Sequence, residues 1–487
     1  MALTATRKGT MVETRKTAGD ASKAAKATKR RRVQDEAADK KAEPAKKKAE
    51  PIKEKAPKEK APKEKTPAPA DKSTQPRPFA RPRTAYMHGL AQRPEAAGTV
   101  FVFGNGDCGQ LGLGEDMIER KKPFPMGGAL GGEQVVAVAC GGLHTMALTA
   151  AGRLWSWGCN DQRALGRSGD EFVPALVAGL DHVSVTRVAC SDSATFAVTA
   201  DGHVYAWGTF RSADGIMGFS TATGVQDTPV VLEGLLEPMV DVCAGADHAL
   251  ALAASGRVYA WGSGQQGQLG RLVLERRRTH GLRPERLRLQ HVQTIGCGAY
   301  HSFAVTKDGS VYAWGLNNFF QLGLDAQDAE VVHEPTRVAA LADKHVVQIS
   351  GGEHHSVALA GDGTLYSFGR SDSHQTGLPF ATLVEDTARM QLAGEGGDAS
   401  AHKKAITRPT AIESLGGVKG FACGSNHTLA LTGEGKAYAW GYGEMLQLGN
   451  GEEEDVALPL LLRGQKIDGK KVLMVAAGGQ HSVVLAE

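Results

Sequence analysis

The pentapeptide VYAWG stands at 204–208, 258–262 and 311–315, and four variants of it complete a series: VFVFG at 100–104, LWSWG at 154–158, LYSFG at 365–369 and AYAWG at 437–441. Each alternates apolar or small residues with aromatic ones, the period of a β-strand, and each ends in glycine. The closing glycines are Gly104, Gly158, Gly208, Gly262, Gly315, Gly369 and Gly441, spaced by 54, 50, 54, 53, 54 and 72 residues. Most units continue into a Gln-Leu-Gly turn, as at Gln110-Leu111-Gly112, Gln268-Leu269-Gly270, Gln321-Leu322-Gly323 and Gln447-Leu448-Gly449. Two further β-rich runs follow, around a small-residue turn and a histidine: VVAVACGGLHTMALTAAG (135–152), VVQISGGEHHSVALAGDG (346–363) and VKGFACGSNHTLALTGEG (418–435). Units of about 50 residues with about four short strands predict a β-propeller, and seven units predict seven blades. The fold class is all-β, with no amphipathic pattern of helical length between strands.

Outward from the repeats, the chain divides by charge. Its 56 Lys+Arg and 53 Asp+Glu give a formal +3. Residues 1–99 hold 26 basic and 12 acidic side chains (+14), leaving 30 and 41 (−11) for residues 100–487. The first segment is Lys-, Ala-, Pro- and Glu-rich, too poor in apolar residues to offset its ordering entropy, and is predicted to be a disordered basic tail. Its clusters Lys29-Arg30-Arg31-Arg32 and Lys46-Lys47-Lys48 suggest nuclear import and DNA binding, with a solvated charged tail as the plainer reading. The second segment is the propeller. Its long 72-residue unit contains a surface insertion at 385–404. Glycine, at 61 residues, lies well above the usual ~7% share and marks tight turns. Seven scattered cysteines without a C-x-x-C pair indicate a reduced compartment. No apolar run approaches the ~18 residues of a membrane span, and the start lacks a secretory apolar core, so no membrane partner is expected.

Several motifs carry chemistry elsewhere but not here. Gly104–Gly109 and Gly262–Gly267 both spell G-x-G-x-x-G, yet each leads into a turn rather than a helix, which excludes the dinucleotide fingerprint. Six units place histidine after the turn glycine, at His144, His248, His301, His354, His427 and His481, and the second has Ala194. Spread around a ring, these cannot converge on one ion, so no metal is expected; they read as histidines bonding blade backbone near the axis. Cys140, Cys190, Cys297 and Cys423, just before the same turn, read as small core residues. No covalent catalytic arrangement and no cofactor motif stands out.

Departures from the repeat are more informative. Asp107, Asp192 and Asp247 occupy turns where other units carry mostly uncharged residues, and local turn capping is one reading of each. TFRSADGIMG (209–218) replaces a whole turn, and LVLERRRTHGLRPERLRL (272–289) concentrates arginine where turn and strand are expected.

GNGDCGQLGLGEDMIERKKP (104–123), GCNDQRALGR (158–167), GTFRSADGIMG (208–218), GQQGQLGR (264–271), CGAYHSF (297–303) and GGEHHS (351–356) closely resemble the regulator-of-chromosome-condensation family, chromatin-bound exchange factors for the small GTPase Ran. The likeness runs from about Val100 to Glu487. The resemblance implies that Asp107, Asp192, Arg211, Asp247 and His354 contact the GTPase. It also implies a protruding wedge of Thr209, Phe210, Arg211, Ser212, Ala213, Asp214, Gly215, Ile216 and Met217. The arginine segment would dock on the acidic histone patch of the nucleosome, through Arg276, Arg277, Arg278 and Arg283. The expected partners are Ran, nucleosome and DNA, and import receptors for the tail, in the nucleus on chromatin. The alternative is a chromatin-binding propeller scaffold with weak or no exchange activity.

Overall fold

In the computed structural model the described residues are 76, 78, 79, 86–324, 329–392 and 404–487, with side chains of 387–392 excepted. The tail clusters Lys29–Arg32 and Lys46–Lys48, and 393–403 of the insertion, lie outside them. Among the described residues, seven four-stranded antiparallel sheets and one two-stranded hairpin account for the strands. Six sheets are continuous in sequence and are numbered by their spans: blade I 135–176, II 185–231, III 239–286, IV 292–337, V 346–411 and VI 418–461. Blade VII joins the two ends of the body, Val472–Ala477 and His481–Ala486 pairing with Thr99–Asn105 and Glu119–Pro125. The sequence repeat is therefore half a blade out of phase with the structural one. Each VYAWG-type strand is the third strand of a blade whose first two strands come from the preceding unit.

Hydrophobicity follows strand order. Second strands such as His144–Thr149 and His301–Thr306 are buried at every position, and so are the third strands LWSWG and VYAWG of blades I to III. The outermost strand Glu119–Pro125, reading ERKKPFP, is mostly open to solvent. Apolar content thus marks the inner strands and leaves the outer ones without a signal. Five of the six tryptophans are fully buried in the third strands.

The recurrent histidine is an inter-blade link, not a backbone ligand. His144 Nε2 lies 2.9 Å from Thr195 Oγ1 in the next blade, His248 2.8 Å from Ser302, and His301 2.8 Å from Ser356. His355 follows at 3.0 Å from Thr428, His427 at 2.8 Å from Ser482, and His481 at 2.8 Å from Thr145, which closes the ring. Each hydroxyl donates onward to a turn carbonyl, for example Ser356 to Gln321 O at 2.7 Å, so the imidazole must donate from Nε2. Burial holds His144 at about 4 and His355, His427 and His481 at about 3, which keeps these rings neutral. The ring also explains the turn glycine: a Cβ on Gly245 would lie 2.3 Å from His248 Cε1. The fifth unit's link is thus His355, and the expected His354 stands one residue before it; the doubled Gly351-Gly352 and His354-His355 hide the register.

Two other expectations change. Residues 86–98, assigned by composition to the tail, are held to the ring, with His88 N donating to Ala254 O (2.9 Å) and Arg93 Nη1 to Ser184 Oγ (2.6 Å) and Val185 O (3.0 Å). The insertion begins inside an α-helix, Phe380–Leu392, which buries Leu383 and Asp386 against the ring, so a helix does occur between strands. Asp386 Oδ2 accepts Thr407 N–H at 3.0 Å.

Candidate functional site

The G-x-x-H turns and the turns after the third strands lie at one end of every blade, because His144 pairs with Gly158, His248 with Gly262 and so on round the ring. This end carries Asp107, the hairpin after the third strand of blade II, the arginine segment after that of blade III, and the helix of blade V. The turns surround the mouth of a channel cavity of about 230 Å³, lined among others by Gly141, Asp192, Gly245, Cys297 and Glu353. Beside it, Asp192 and Arg211 share a cleft of about 520 Å³ with Cys159, Asn426, Tyr442 and Gln480.

Carboxylates gather at the mouth. Asp192 stays open to solvent, yet the protein around it, and then Asp247 and Glu353, push its carboxyl up to about 6, with Arg211 opposing. Burial likewise raises Asp247, against the hydrogen bond and charge of Arg211. Burial and then the charges of Glu353, Asp192 and Asp247 raise the Tyr300 phenol. His354 lies between Phe319 (5.1 Å between centroids) and Tyr300 (5.8 Å), 3.8 Å from Glu353 Oε1; burial lowers its pKa although Glu353 pulls the other way. Asp192, Arg211, Asp247 and His354 are therefore brought to one mouth. Asp107 is on the same face but not in this cluster: it caps its own turn, accepting from Asn105 Nδ2 at 3.1 Å while its N–H donates to Asn105 Oδ1 at 3.0 Å.

The segment 209–218 is a two-stranded hairpin, Phe210–Ser212 against Gly215–Gly218. Thr209 and Phe210 are its buried anchor: the Thr209 hydroxyl donates to Gly224 O at 2.7 Å, and Phe210 stacks 5.9 Å from Phe196, which meets Trp261 edge-on. Arg211, Ala213, Asp214 and Ile216 (58% exposed) form the projecting part. Blade III braces it at three points. Asp247 Oδ1 accepts Arg211 N–H at 2.6 Å, Gln265 Oε1 accepts Ala213 N–H at 3.2 Å, and Arg278 ion-pairs with Asp214. Gly262 makes room at the base: its φ is +113°, and a Cβ would lie 2.5 Å from Asp247 O.

The arginine segment is turn and strand, as expected: 3-10 turns over Glu275–Leu282, then the short strand Glu285–Arg286. Its four candidate arginines separate. Arg278 is engaged by Asp214 and Glu275, whereas Arg276, Arg277 and Arg283 are exposed with no ion pair among the described residues.

Sequence reasoning passed over Glu353, Tyr300, Gln265 and the bracing role of Arg278. Glu353 had a signal, since it occupies the same repeat slot as Asp192. Gln265 and Arg278 had none, because their partners lie 52 and 64 residues away.

Residues 99–484 match the family model described as the RCC1-like domain. The regulator of chromosome condensation of Homo sapiens is 38% identical over 409 residues, covering 80% of this chain and 91% of its own. Guanine nucleotide exchange factor SRM1 of Saccharomyces cerevisiae is 36% identical over 431 residues, covering 79% and 86%. A crystal structure of Prp20p from the same yeast, described with its binding to Gsp1p and histones, superposes with a TM-score of 0.76 at 36% identity over 81% of this chain and 93% of that one. With its seven blades, its closing seam and its matched repeats, this chain belongs to the RCC1-like domain family.

Proposed function

We propose that this chain is a guanine-nucleotide exchange factor for Ran. The observation that carries the reading is the hairpin 209–218, held out from the ring by the Asp247 carboxylate at 2.6 Å from Arg211 N and flanked by Asp192 and His354. A relative of similar length is named an exchange factor.

The mechanism is differential binding, with no bond made or broken in the exchange factor. A nucleotide held at picomolar affinity has about 16 kcal/mol of binding free energy. A protein that binds the empty GTPase better than the filled one weakens nucleotide binding by the same factor, by linkage. Moving a state ratio from 1:99 to 99:1 takes about 5.5 kcal/mol of such preference. The wedge presents Ile216 and Ala213 to the phosphate-binding region, and the acidic mouth draws basic GTPase surface and speeds encounter. The test is release of labelled nucleotide from Ran with and without the full chain. Asp247→Ala removes a charged acceptor, a hydrogen bond of about 1.5–3 kcal/mol, and is expected to cut the acceleration roughly tenfold to hundredfold without unfolding the ring. Release no faster with the wild-type chain than without it rejects exchange and leaves the scaffold reading.

Chromatin tethering is the second half of the proposal. Arg276, Arg277 and Arg283 are free to pair with histone carboxylates, and guanidinium matches carboxylate in a two-pronged geometry. The tail clusters would add DNA phosphate contacts and an import signal, giving a nuclear protein. Nucleosome binding by the full chain and by Arg276→Glu/Arg277→Glu, titrated with salt, tests the loop; equal affinity and equal salt slope reject it.

A further inference from the structure

We propose that Cys243 and Cys297 are a peroxide-oxidisable thiol pair that closes into a disulfide between blades III and IV. Cys243 lies on the innermost strand Met239–Ala244 and Cys297 ends the strand Val292–Cys297, and their sulfurs are 2.9 Å apart. The pairing belongs to this joint. At the slot of Cys243 the other blades carry Ala139, Ala189, Gly296, Ser350, Ala422 and Ala476. The remaining channel cysteines face other groups: Cys190 Sγ meets Ala139 O at 3.8 Å, and Cys140 Sγ meets the Thr145 hydroxyl at 4.0 Å. Cys297 also lines the channel cavity, which gives a small oxidant a route to the pair.

The two thiols are not equivalent. Burial drives Cys140 and Cys423 up to about 12. The same burial acts on Cys297, but the hydrogen bond from Cys243 opposes it and draws the Cys297 thiol down, while Cys243 is raised. The thiol held lower is the one that reacts first and its partner the one that resolves, once the 2.9 Å approach has brought the sulfurs together. The Cys297 thiolate attacks hydrogen peroxide: an S–O bond forms, the O–O bond breaks, and hydroxide leaves to take up the proton Cys297 had lost. The Cys243 sulfur then attacks the sulfenic sulfur. The S–S bond forms, the S–O bond breaks, and the departing hydroxide carries away the Cys243 proton as water. Two thiols lose two electrons and one peroxide becomes two waters. A reducing compartment keeps the pair open, so closure reports oxidant.

The link would span 54 residues and tie together the two turns that present Asp247 and Tyr300 at the mouth. The test treats the full-length chain with hydrogen peroxide, counts free thiols, and maps peptides without reduction. The expected result is loss of two of the seven thiols, a cross-linked Cys243–Cys297 peptide, and a raised Tm, all reversed by dithiothreitol. In Cys243→Ala, a residue already found at that slot in other blades, the cross-link should be lost and Cys297, deprived of the hydrogen bond from Cys243, should react with peroxide more slowly. An unchanged thiol count, a cross-link through Cys108 and Cys159 instead, or loss of two thiols persisting in Cys243→Ala would overturn the assignment. These readouts do not involve nucleotide exchange, so they stand or fall apart from that proposal.

Discussion

The joint between blades II and III differs from the other six. At each of the six a histidine of one blade donates to a hydroxyl of the next, and that hydroxyl donates to the carbonyl of a turn. Where the third strand carries tryptophan, the same carbonyl accepts the indole: Gln268 O takes Ser302 and Trp314, and Gln375 O takes Thr428 and Trp440. At the seventh joint the whole set is gone together. The turn glycine is Ser191, the histidine is Ala194, the hydroxyl is Ala249, and the turn has become the hairpin 209–218. Ser191 Oγ instead accepts the N–H of Ala194 at 2.9 Å, and only the Trp261 indole N–H remains without a partner. A concerted loss strands one buried donor rather than several, each of which costs about 1–3 kcal/mol. The hydrogen bonds that replace it, donated by the hairpin backbone to Asp247 and Gln265, support a protrusion rather than the ring. The proposed wedge therefore stands where the repeat's own bonding was removed as a unit.

If the six joints are stabilising links, breaking one carries the largest effect. His301→Ala removes a fully buried ring and leaves the Ser356 hydroxyl without its donor, and should cost about 2–4 kcal/mol in chemical denaturation. The reverse experiment probes the seventh joint. Ala194→His alone has no hydroxyl to meet and no glycine to lie against, and should cost about 1–3 kcal/mol by overpacking. Ser191→Gly/Ala194→His/Ala249→Ser should recover part of that loss, because the three positions act as one set. A neutral Ala194→His, or a triple variant no better than the single, would show that the joints are independent of one another and end the comparison.

The same contrast shows what was legible beforehand. The blades were readable because seven third strands are largely buried and spell nearly one word. Outer strands such as Glu119–Pro125 were not, since a solvated strand needs no apolar residues. The departures Asp192, Asp247 and 209–218 were visible as breaks in a period, and Glu353 was available from the same register. The step from His354 to His355 was not, because two adjacent glycines and two adjacent histidines fit either frame, and only the hydroxyl of Thr428 decides. The brace from Arg278 to the hairpin lies wholly in side-chain geometry across 64 residues. Residues 86–98 read as tail because backbone hydrogen bonds to the ring leave no mark on composition.

A smaller effect belongs to the acids at the mouth. The Asp192 carboxyl is raised to about 6, from an ordinary value near 4, by the surrounding protein and by Asp247 and Glu353. Between those values the folded chain binds a proton that the unfolded chain does not, so this group's contribution to stability falls as pH rises through the window. Asp192→Asn should therefore raise Tm at pH 7.5, with the gain shrinking toward pH 4, while slowing the proposed exchange. A lower Tm at pH 7.5 would show that the carboxylate is held by favourable contacts and that the mouth stores no repulsion.

The smallest effect separates bracing from histone contact. Arg278 and Asp214 form an ion pair on the surface, and such pairs contribute about 0–1 kcal/mol. Arg278→Asp should thus leave Tm nearly unchanged and slow exchange a few-fold at most, by loosening the wedge tip. The exchanged pair Arg278→Asp/Asp214→Arg should restore the rate, since it returns the attraction with its sign reversed. Loss of nucleosome affinity should follow from Arg276→Glu/Arg277→Glu and not from the exchanged pair, because only the former arginines are unpaired on the surface. If the exchanged pair fails to restore exchange but abolishes nucleosome binding, Arg278 belongs with the histone-facing arginines and the wedge is held by Asp247 and Gln265 alone.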